Sequence, residues 1–243
     1  MNTNLSFSSS AQLETECLVL PVLDHGDKDK PDARVTSADK ALQDAAAELI
    51  STGEVSGKIF ESVMLHRPSG LKAKRLLLVG GGKAKNFSAF ELRRLAGAAV
   101  RFLKPKSIRS FAFVLPELRV THPSAEGGGW DQADAVKAVI EGAFVGNFDP
   151  DKYRSDRKDQ RIDDLTIAVA PPLSLPGKPA LSVVEGERQG GNADEAALHA
   201  AMEQGRVMGE SQNFTRELVN EPGNRMTPTM MAEHARRMVE SLN

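Results

Sequence analysis

The sequence is poor in the residues that mark secreted, metal-cluster and membrane proteins. It has one cysteine, Cys17, among 243 residues, so neither an internal disulfide nor a cysteine metal cluster can form. No apolar run approaches the ~20 residues that span a bilayer. Residues 1–16 lack the basic start and apolar centre of a signal peptide. We therefore expect a cytoplasmic protein with a buried core thiol and no membrane segment.

An excess of charge of one sign is also missing. The chain has 31 Lys and Arg against 33 Asp and Glu, which gives a net charge of −2. Nucleic-acid-binding proteins usually carry a basic excess, so the net charge gives that function no support. Two local basic clusters, Lys72–Lys74–Arg75 and Arg93–Arg94, are the reason to keep a nucleic-acid-binding accessory domain as one alternative.

Familiar catalytic motifs are absent as well. The histidines form no H-x-H or H-E-x-x-H pair, and no G-x-S-x-G nucleophile elbow occurs. His25 lies beside Asp24 and Asp27, which are metal-ligating residue types, but we interpret this stretch as a solvated loop. We therefore predict no catalytic, cofactor-binding or metal-binding residue in this chain.

What the sequence does contain is an alternation of strands and helices between about residues 17 and 170. Helical spacing of apolar residues predicts helices over 38–51, 88–103 and 130–144. Apolar runs predict strands at 17–23, 61–67, 73–80, 107–115 and 163–170. This alternation is typical of an α/β fold in which helices flank a mostly parallel sheet.

Local residues predict how several of these elements begin and pack. Thr36 or Ser37 is expected to cap the first helix, and Ser88 with Glu91 forms an S-x-x-E capping box for the second. Its predicted buried stripe is Phe90, Leu95, Ala99 and Phe102. Tyr153 is expected to anchor the charged segment 147–164 against the sheet.

The glycine-rich stretch Gly80–Lys85 follows a predicted strand and precedes a helix, as phosphate-cradling loops do. Its spacing departs from G-x-G-x-x-G, because Lys85 occupies the third glycine position, and from the P-loop, because Leu77 occupies the first. We interpret the stretch as a tight strand-to-helix connection. An anion site that uses Lys83 and Lys85 is the alternative.

A long helix is predicted from Asp194 to Asn220, with Asn192 as its cap and with Gly205 and Gly209 as tolerated interruptions. At 1.5 Å per residue it is about 40 Å long. A helix of that length at the edge of a domain often carries the chain into another domain.

A turn and a second helix follow the long helix. Glu221–Asn224 suits a β-turn in which Gly223 supplies a positive φ. Thr227 is predicted to cap the new helix, with Pro228 as its first residue. Its apolar residues need a partner, so we expect that the sequence stops where a second domain opens: Met231, Ala235, Met238, Val239 and Leu242.

The same stretch carries a family resemblance. "FTRELVNEPGNRMTP" resembles the segment that enters the catalytic domain of leucyl (cytosol) aminopeptidases, which reads "ARDLVNxPxNxxTP". "GLKAKRLLLVGGGK" and "EGAFVGNFDPDKYRSD" resemble two upstream family segments, with Asn147 where an aromatic residue is common. The resemblance implies a macro-domain-like N-terminal α/β domain over 1–190, a linker helix over 191–222 and the truncated start of a peptidase domain over 223–243.

The function implied by the resemblance is that of a non-catalytic part of a two-metal exopeptidase, which removes N-terminal amino acids from peptides. In that family the second domain holds two divalent metals, Zn²⁺ or Mn²⁺, partly through an "NTDAEGR" motif that this sequence lacks. Members are hexamers, and this domain would shape the substrate entrance and support oligomer packing. The alternatives are a free-standing macro-like module that binds ADP-ribose or nucleotide through Gly80–Lys85, and the nucleic-acid-binding accessory domain.

Overall fold

One seven-stranded sheet forms the centre of the fold. A computed structural model describes residues 1–27, 30–117, 130–150, 153–156, 158–170 and 185–240, with side chains from residue 195 onward in the last range. The strands are β1 Asn2–Ser6, β2 Leu18–Asp24, β3 Ala33–Val35, β4 Ser62–His66, β5 Arg75–Lys83, β6 Ser110–Val114 and β7 Asp164–Ala168. The helices are α1 Lys40–Ser51, α2 Ala89–Leu103, α3 Gln132–Asn147, α4 Glu185–Asn220 and α5 Pro228–Glu240.

The strand order is β1-β7-β6-β2-β5-β4, and β3 pairs with β2. Neighbours from β1 to β5 along this path run parallel, whereas β4 and β3 pair antiparallel. The predicted α/β fold with a mostly parallel sheet is thus confirmed. Two strands lie outside the sequence prediction: β1, a largely polar edge strand that pairs only with β7, and the three-residue β3.

The central strands are buried on both faces, which explains their continuous apolar runs. Alternate residues of β2 enter two separate cores: Val19 and Leu23 pack towards α2 and α3, whereas Leu20 and Val22 pack towards α1. Cys17 is buried in the first core, as predicted, and burial raises the pKa of its thiol to about 12. Within the described residues, no helix has the length and apolarity that crossing a bilayer requires.

Gly80–Lys83 of the glycine-rich stretch lie inside β5, so only Ala84 and Lys85 belong to the predicted strand-to-helix connection. A Cβ on Gly80 would lie 1.9 Å from the carbonyl oxygen of Lys58, and one on Gly81 would lie 2.7 Å from the Phe87 ring. Gly82 has a φ of +85°. These glycines therefore let β5 approach a neighbouring chain segment, and a short 3-10 turn, Ala84–Asn86, makes the connection to α2.

Two helix starts differ from prediction in their details. Asp39, not Thr36 or Ser37, caps α1, because its carboxylate accepts a 3.0 Å hydrogen bond from the Ala41 amide. Ser88 caps α2 as predicted and accepts a hydrogen bond from the Phe90 amide at 3.2 Å. The Phe90 side chain, predicted to be buried, is 58% exposed. Leu95 and Ala99 are buried as predicted, Phe102 is half-buried, and the rest of the buried stripe of α2 consists of Leu92, Ala96, Val100 and Leu103.

Helices α2 and α3 touch at the level of their backbones. A Cβ on Gly142 would lie 2.0 Å from the carbonyl oxygen of Arg93, and one on Gly146 would lie 2.8 Å from that of Gly97. Side chains at these positions would force the helices apart. The side chains predicted to form the apolar face of α3 are buried: Val136, Val139, Ile140 and Ala143.

Replacing Gly142 with alanine tests this contact. We expect Gly142→Ala to lower the free energy of unfolding by about 1–3 kcal/mol, because the new methyl group meets backbone that cannot move aside easily. Urea denaturation would measure the loss. Gly223→Ala is the control, since a Cβ there meets nothing within 4 Å. If Gly142→Ala were as stable as the unaltered chain or more so, the gain in helix propensity would outweigh the contact and the inference would fail.

Candidate functional site

The first candidate is the pair of lysines in the glycine-rich stretch. The ammonium of Lys83 lies 2.6 Å from the carboxylate of Asp24 and donates hydrogen bonds to the carbonyl oxygens of Gly26, at 2.9 Å, and Asp27, at 3.1 Å. A lysine ammonium has three donors, so all of them are in use. Only Lys85, which is exposed, is left of the predicted anion site.

Asp24 is the carboxylate that pairs with Lys83. Its side chain is 11% exposed, and its Oδ1 accepts hydrogen bonds from the amides of Gly26, at 2.8 Å, and Asp32, at 3.0 Å. Burial alone raises the pKa of Asp24, but the hydrogen bonds from Lys83 and these amides outweigh burial and hold the pKa below its ordinary value. Asp24, at the end of β2, is thus bonded both to Lys83 of β5 and to amides of the loop that connects β2 to β3.

His25 does not join Asp24 in a metal site. The histidine is partly buried rather than solvated, and burial together with the nearby Arg34 charge lowers the pKa of its ring. The described residues contain no group of three or more His, Cys, Asp or Glu side chains that could hold a metal ion. The sequence stretch EGGG, residues 126–129, is considered as a ligand site on sequence grounds, and it lies outside the described residues.

The second candidate is the surface on which α4 lies, along α3. A Cβ on Gly205 would lie 2.7 Å from the carbonyl oxygen of Lys137, and one on Gly209 would lie 2.5 Å from the Cβ of Phe144. Interpreting these glycines as tolerated interruptions is therefore incomplete, because they are the contact itself. The helix begins at Glu185, so Asn192 lies within it and is not its cap.

Polar side chains of α4 fasten it to the last turn of α3. Asn213 donates to the carbonyl oxygen of Phe144 at 2.8 Å, and Arg216 donates to that of Val145 at 2.9 Å. Carbonyls in the last turn of a helix lack partners within the helix, so these bonds satisfy acceptors that otherwise need water. The sequence gives no signal for these pairings, since the partners are about seventy residues apart.

A buried polar cluster joins α4 to α2 as well. The Nε of Arg93 in α2 lies 2.8 Å from the carboxylate of Glu141 in α3. Gln212 in α4 accepts a hydrogen bond from Arg93 at 2.7 Å and donates one to Glu141. Three helices are therefore linked by one network in which the buried carboxylate is paired.

Tyr153 contacts the end of α4 rather than the sheet, which corrects its predicted role. Its hydroxyl hydrogen-bonds the carboxylate of Glu221, and the guanidinium of Arg225 lies 5.0 Å from its ring centroid. A cleft of about 260 Å³ lies beside them. Tyr153 thus contacts the chain immediately after α4 ends.

The turn after α4 differs from the predicted β-turn. Gly223 does not have a positive φ, and the amides of Arg225 and Met226 both donate to the carbonyl oxygen of Pro222, at 2.8 and 3.0 Å. Proline therefore starts a single helical turn. Thr227 then caps α5 as predicted, and its hydroxyl accepts a hydrogen bond from the Met230 amide at 3.3 Å.

Helix α5 has no buried residue. Its larger apolar side chains are exposed: Met230, Met231, Met238 and Val239. Val219, near the end of α4, is 78% exposed. The predicted apolar face is thus present and exposed to solvent, and Leu242 lies outside the described residues.

The fold agrees with the family assignment from sequence comparison. The profile of the family described as "Cytosol aminopeptidase family, N-terminal domain" matches residues 19–157, more than half of the chain. The chain therefore belongs to the cytosol aminopeptidase family.

Two relatives illustrate this membership. A probable cytosol aminopeptidase of Koribacter versatilis is 46% identical over 250 residues, covering 100% of this chain and 44% of the relative. A probable cytosol aminopeptidase of Acidobacterium capsulatum is 38% identical over 246 residues, covering 98% of this chain and 43% of the relative. The chain thus spans less than half the length of these curated relatives.

Solved structures show the same fold at lower identity. A tomato leucine aminopeptidase mutant superposes with a TM-score of 0.66 at 21% identity, over 99% of this chain and 42% of that one. The bottromycin maturation enzyme BotP in complex with Mn gives a TM-score of 0.58 at 20% identity, over 93% of this chain and 36% of that one. The likeness extends through α4.

The contact between α3 and α4 leads to a first prediction for this site. We expect the double variant Gly205→Ala/Gly209→Ala to speed amide hydrogen exchange in α4 about tenfold, because two methyl groups push the helix from α3. Exchange in the central strands should not change. Ser211→Ala, on the exposed side of the same helix, is the control. Unchanged protection of α4 in the double variant would show that the glycines do not set the contact.

The two lysines generate a second prediction. We expect Lys83→Met to cost about 1–3 kcal/mol of unfolding free energy at pH 7, because it leaves the buried Asp24 carboxylate without its ammonium partner. Lys85→Met is the matched control and should change stability by about 0.5 kcal/mol or less, since Lys85 is exposed.

The pH dependence of that difference follows from the lowered pKa of Asp24. A carboxyl whose pKa is lower in the folded state contributes stability above its ordinary pKa of 3.8, and the contribution disappears as the pH falls through the folded pKa. Denaturation curves at several pH values should therefore show the Lys83→Met penalty shrinking in acid. A penalty that stays constant into strong acid would contradict the role of the ion pair.

Proposed function

We propose that this chain is the N-terminal part of a two-metal aminopeptidase that removes N-terminal amino acids from peptides, and that it is not itself catalytic. Its role is to position the remainder of the enzyme. The observation that carries the proposal is the way α4 is docked on α3 and then delivers α5, whose apolar face is exposed. Family membership and the shared length with relatives support it.

The proposed organisation has three parts: an α/β domain related to macro domains over 1–190, a linker over 191–222 and the first helix of the peptidase domain over 223–243. A helix that is fixed by backbone contact and by paired polar groups transmits position better than a flexible linker does. Catalysis is sensitive to displacements of about 1 Å, so a rigid linker can hold a substrate entrance in register with a distant active site.

Two divalent metals, Zn²⁺ or Mn²⁺, belong to this proposal as ions of the complete enzyme. They would activate a water molecule for attack on the peptide carbonyl. The described residues of this chain offer no suitable donor set, and the carboxylate of Asp24 is already paired with Lys83. No step of hydrolysis is therefore assigned to these residues.

The complete enzyme is proposed to act on peptides in the cytoplasm as a homo-hexamer, with this domain contributing to subunit packing. The alternative of an ADP-ribose- or nucleotide-binding module at Gly80–Lys85 loses its main support, because Lys83 has no donor left for a phosphate. The nucleic-acid-binding alternative rests on the clusters Lys72–Lys74–Arg75 and Arg93–Arg94, and of these Arg93 is already paired with Glu141.

Hydrolysis of Leu-p-nitroanilide tests the proposed function. We expect the 243-residue chain to show no turnover with added Mn²⁺ or Zn²⁺, and a polypeptide extended to the length of the relatives to be active in the same assay. Metal-dependent turnover by the purified chain would overturn the non-catalytic role. An inactive extended polypeptide, folded and loaded with metal, would overturn the assignment as an aminopeptidase.

A further inference from the structure

A groove of about 320 Å³ lies where α2, α3 and the end of α4 meet. Four arginines line it: Arg93, Arg94, Arg101 and Arg216. Its floor is formed by small residues, because α2 and α3 approach so closely there that only glycine fits at the contact. We propose that this groove binds an oligophosphate group, either free or as the terminal group of a nucleotide.

The charge balance of the groove is the first argument. Glu141 is the carboxylate paired there, and it is taken by Arg93 at 2.8 Å. Within the described part of the chain, Arg94, Arg101 and Arg216 have no carboxylate at ion-pair distance. Three guanidinium charges therefore stand uncompensated around one depression, on a chain whose net charge is −2.

The hydrogen-bonding capacity of these arginines is the second argument. A guanidinium has five N–H donors. Arg101 makes one hydrogen bond, to the carbonyl oxygen of Phe148 at 3.0 Å, and Arg216 donates to Val145 and Asn213. Most of their donors remain for other acceptors, and guanidinium groups match phosphate oxygens in a bidentate geometry.

Mutual repulsion among the arginines points the same way. Burial lowers the pKa of Arg216, and the positive charge of Arg101 lowers it further. Two like charges held together by the fold are relieved by an anion between them. Arg101 and Arg216 also donate hydrogen bonds to carbonyl groups at the end of α3. This helix-capping role explains those two side chains, but it explains neither Arg94 nor the open groove.

The third arginine is held in place by aromatic rings. The Arg94 guanidinium lies 5.1 Å from the ring centroid of Phe60 and 5.8 Å from that of Phe90, both exposed side chains. Phe60 has a φ of +61°, in the left-handed region that bulky residues avoid. Its amide donates to the carbonyl oxygen of Gly80 at 2.8 Å, so the close approach of β5 maintains this conformation. Strained residues of this kind gather at binding sites.

The ligand class follows from these features. Three guanidinium groups without a carboxylate partner among the described residues complement an anion with about three charges, which a single carboxylate lacks and a di- or triphosphate has. The groove is open, and Phe60, Arg94 and Arg101 in its lining are exposed, so it suits a phosphate chain and not an enclosed apolar molecule. The proposal concerns this chain alone and does not depend on the aminopeptidase activity.

Calorimetric titration of the 243-residue chain tests whether the groove binds oligophosphate. The probes are tripolyphosphate, pyrophosphate and ATP at low salt. We expect saturable binding of tripolyphosphate at submillimolar concentration, weaker with pyrophosphate and weaker again at high salt. Arg94→Gln and Arg101→Gln should each reduce affinity about tenfold, as loss of a charged hydrogen-bonding partner does. Tighter binding of ATP than of tripolyphosphate would identify a nucleotide as the source of the phosphate group.

The matched control is Arg154→Gln, which removes another exposed arginine, one that is paired with Asp156 at 3.2 Å. It should bind tripolyphosphate as the unaltered chain does. Thermal unfolding of each variant would verify that the fold is intact, which is expected because Arg94 and Arg101 are exposed. Three results would overturn the proposal: no heat at millimolar tripolyphosphate, equal weakening by Arg154→Gln, or salt-dependent self-association through the groove without phosphate binding.

Discussion

The organisation of this protein depends on the approach of three helices to within backbone contact. Between α2 and α3 the contact is made at Gly97, Gly142 and Gly146, and between α3 and α4 at Gly205 and Gly209. Each position excludes even a methyl group unless the partner moves. The helices therefore have little freedom in their spacing, and α3, buried between the sheet and the linker, fixes where α4 runs.

Several other features follow from that spacing. The end of α3 comes close enough to α4 for Asn213 and Arg216 to satisfy its terminal carbonyls. Arg93, Glu141 and Gln212 form a network across all three helices only because their backbones are so near. The direction in which the chain runs from α4 into α5 thereby depends on glycines that pack α4 on α3.

Sequence patterns were informative where a residue's neighbours are local or where burial is complete. The continuous apolar runs of β2 and β5 predict their burial, and Ser88 and Thr227 predict helix starts, because each effect acts within a few residues. The polar edge strand β1 has no such pattern, since its pairing with β7 comes from residues about 160 positions away. In the sequence, Gly205 and Gly209 appear only as residues that lower helix propensity. Their packing role cannot be read from α4 alone, because the surface that they contact belongs to α3.

The two basic regions show why a motif is a poor guide to a site unless the charge balance is known. Lys83 follows three glycines and has the sequence context of a phosphate loop, yet its donors are used by Asp24 and two carbonyl groups, so it locks the fold. Arg94, Arg101 and Arg216 belong to no common motif and are spread over more than a hundred residues. The helix contact nevertheless brings them around one groove, where none of them has a carboxylate partner among the described residues. The capacity to bind an anion thus depends on which arginine and lysine side chains the fold leaves without a carboxylate partner. Here the close packing of helices at glycines also brings those arginines together.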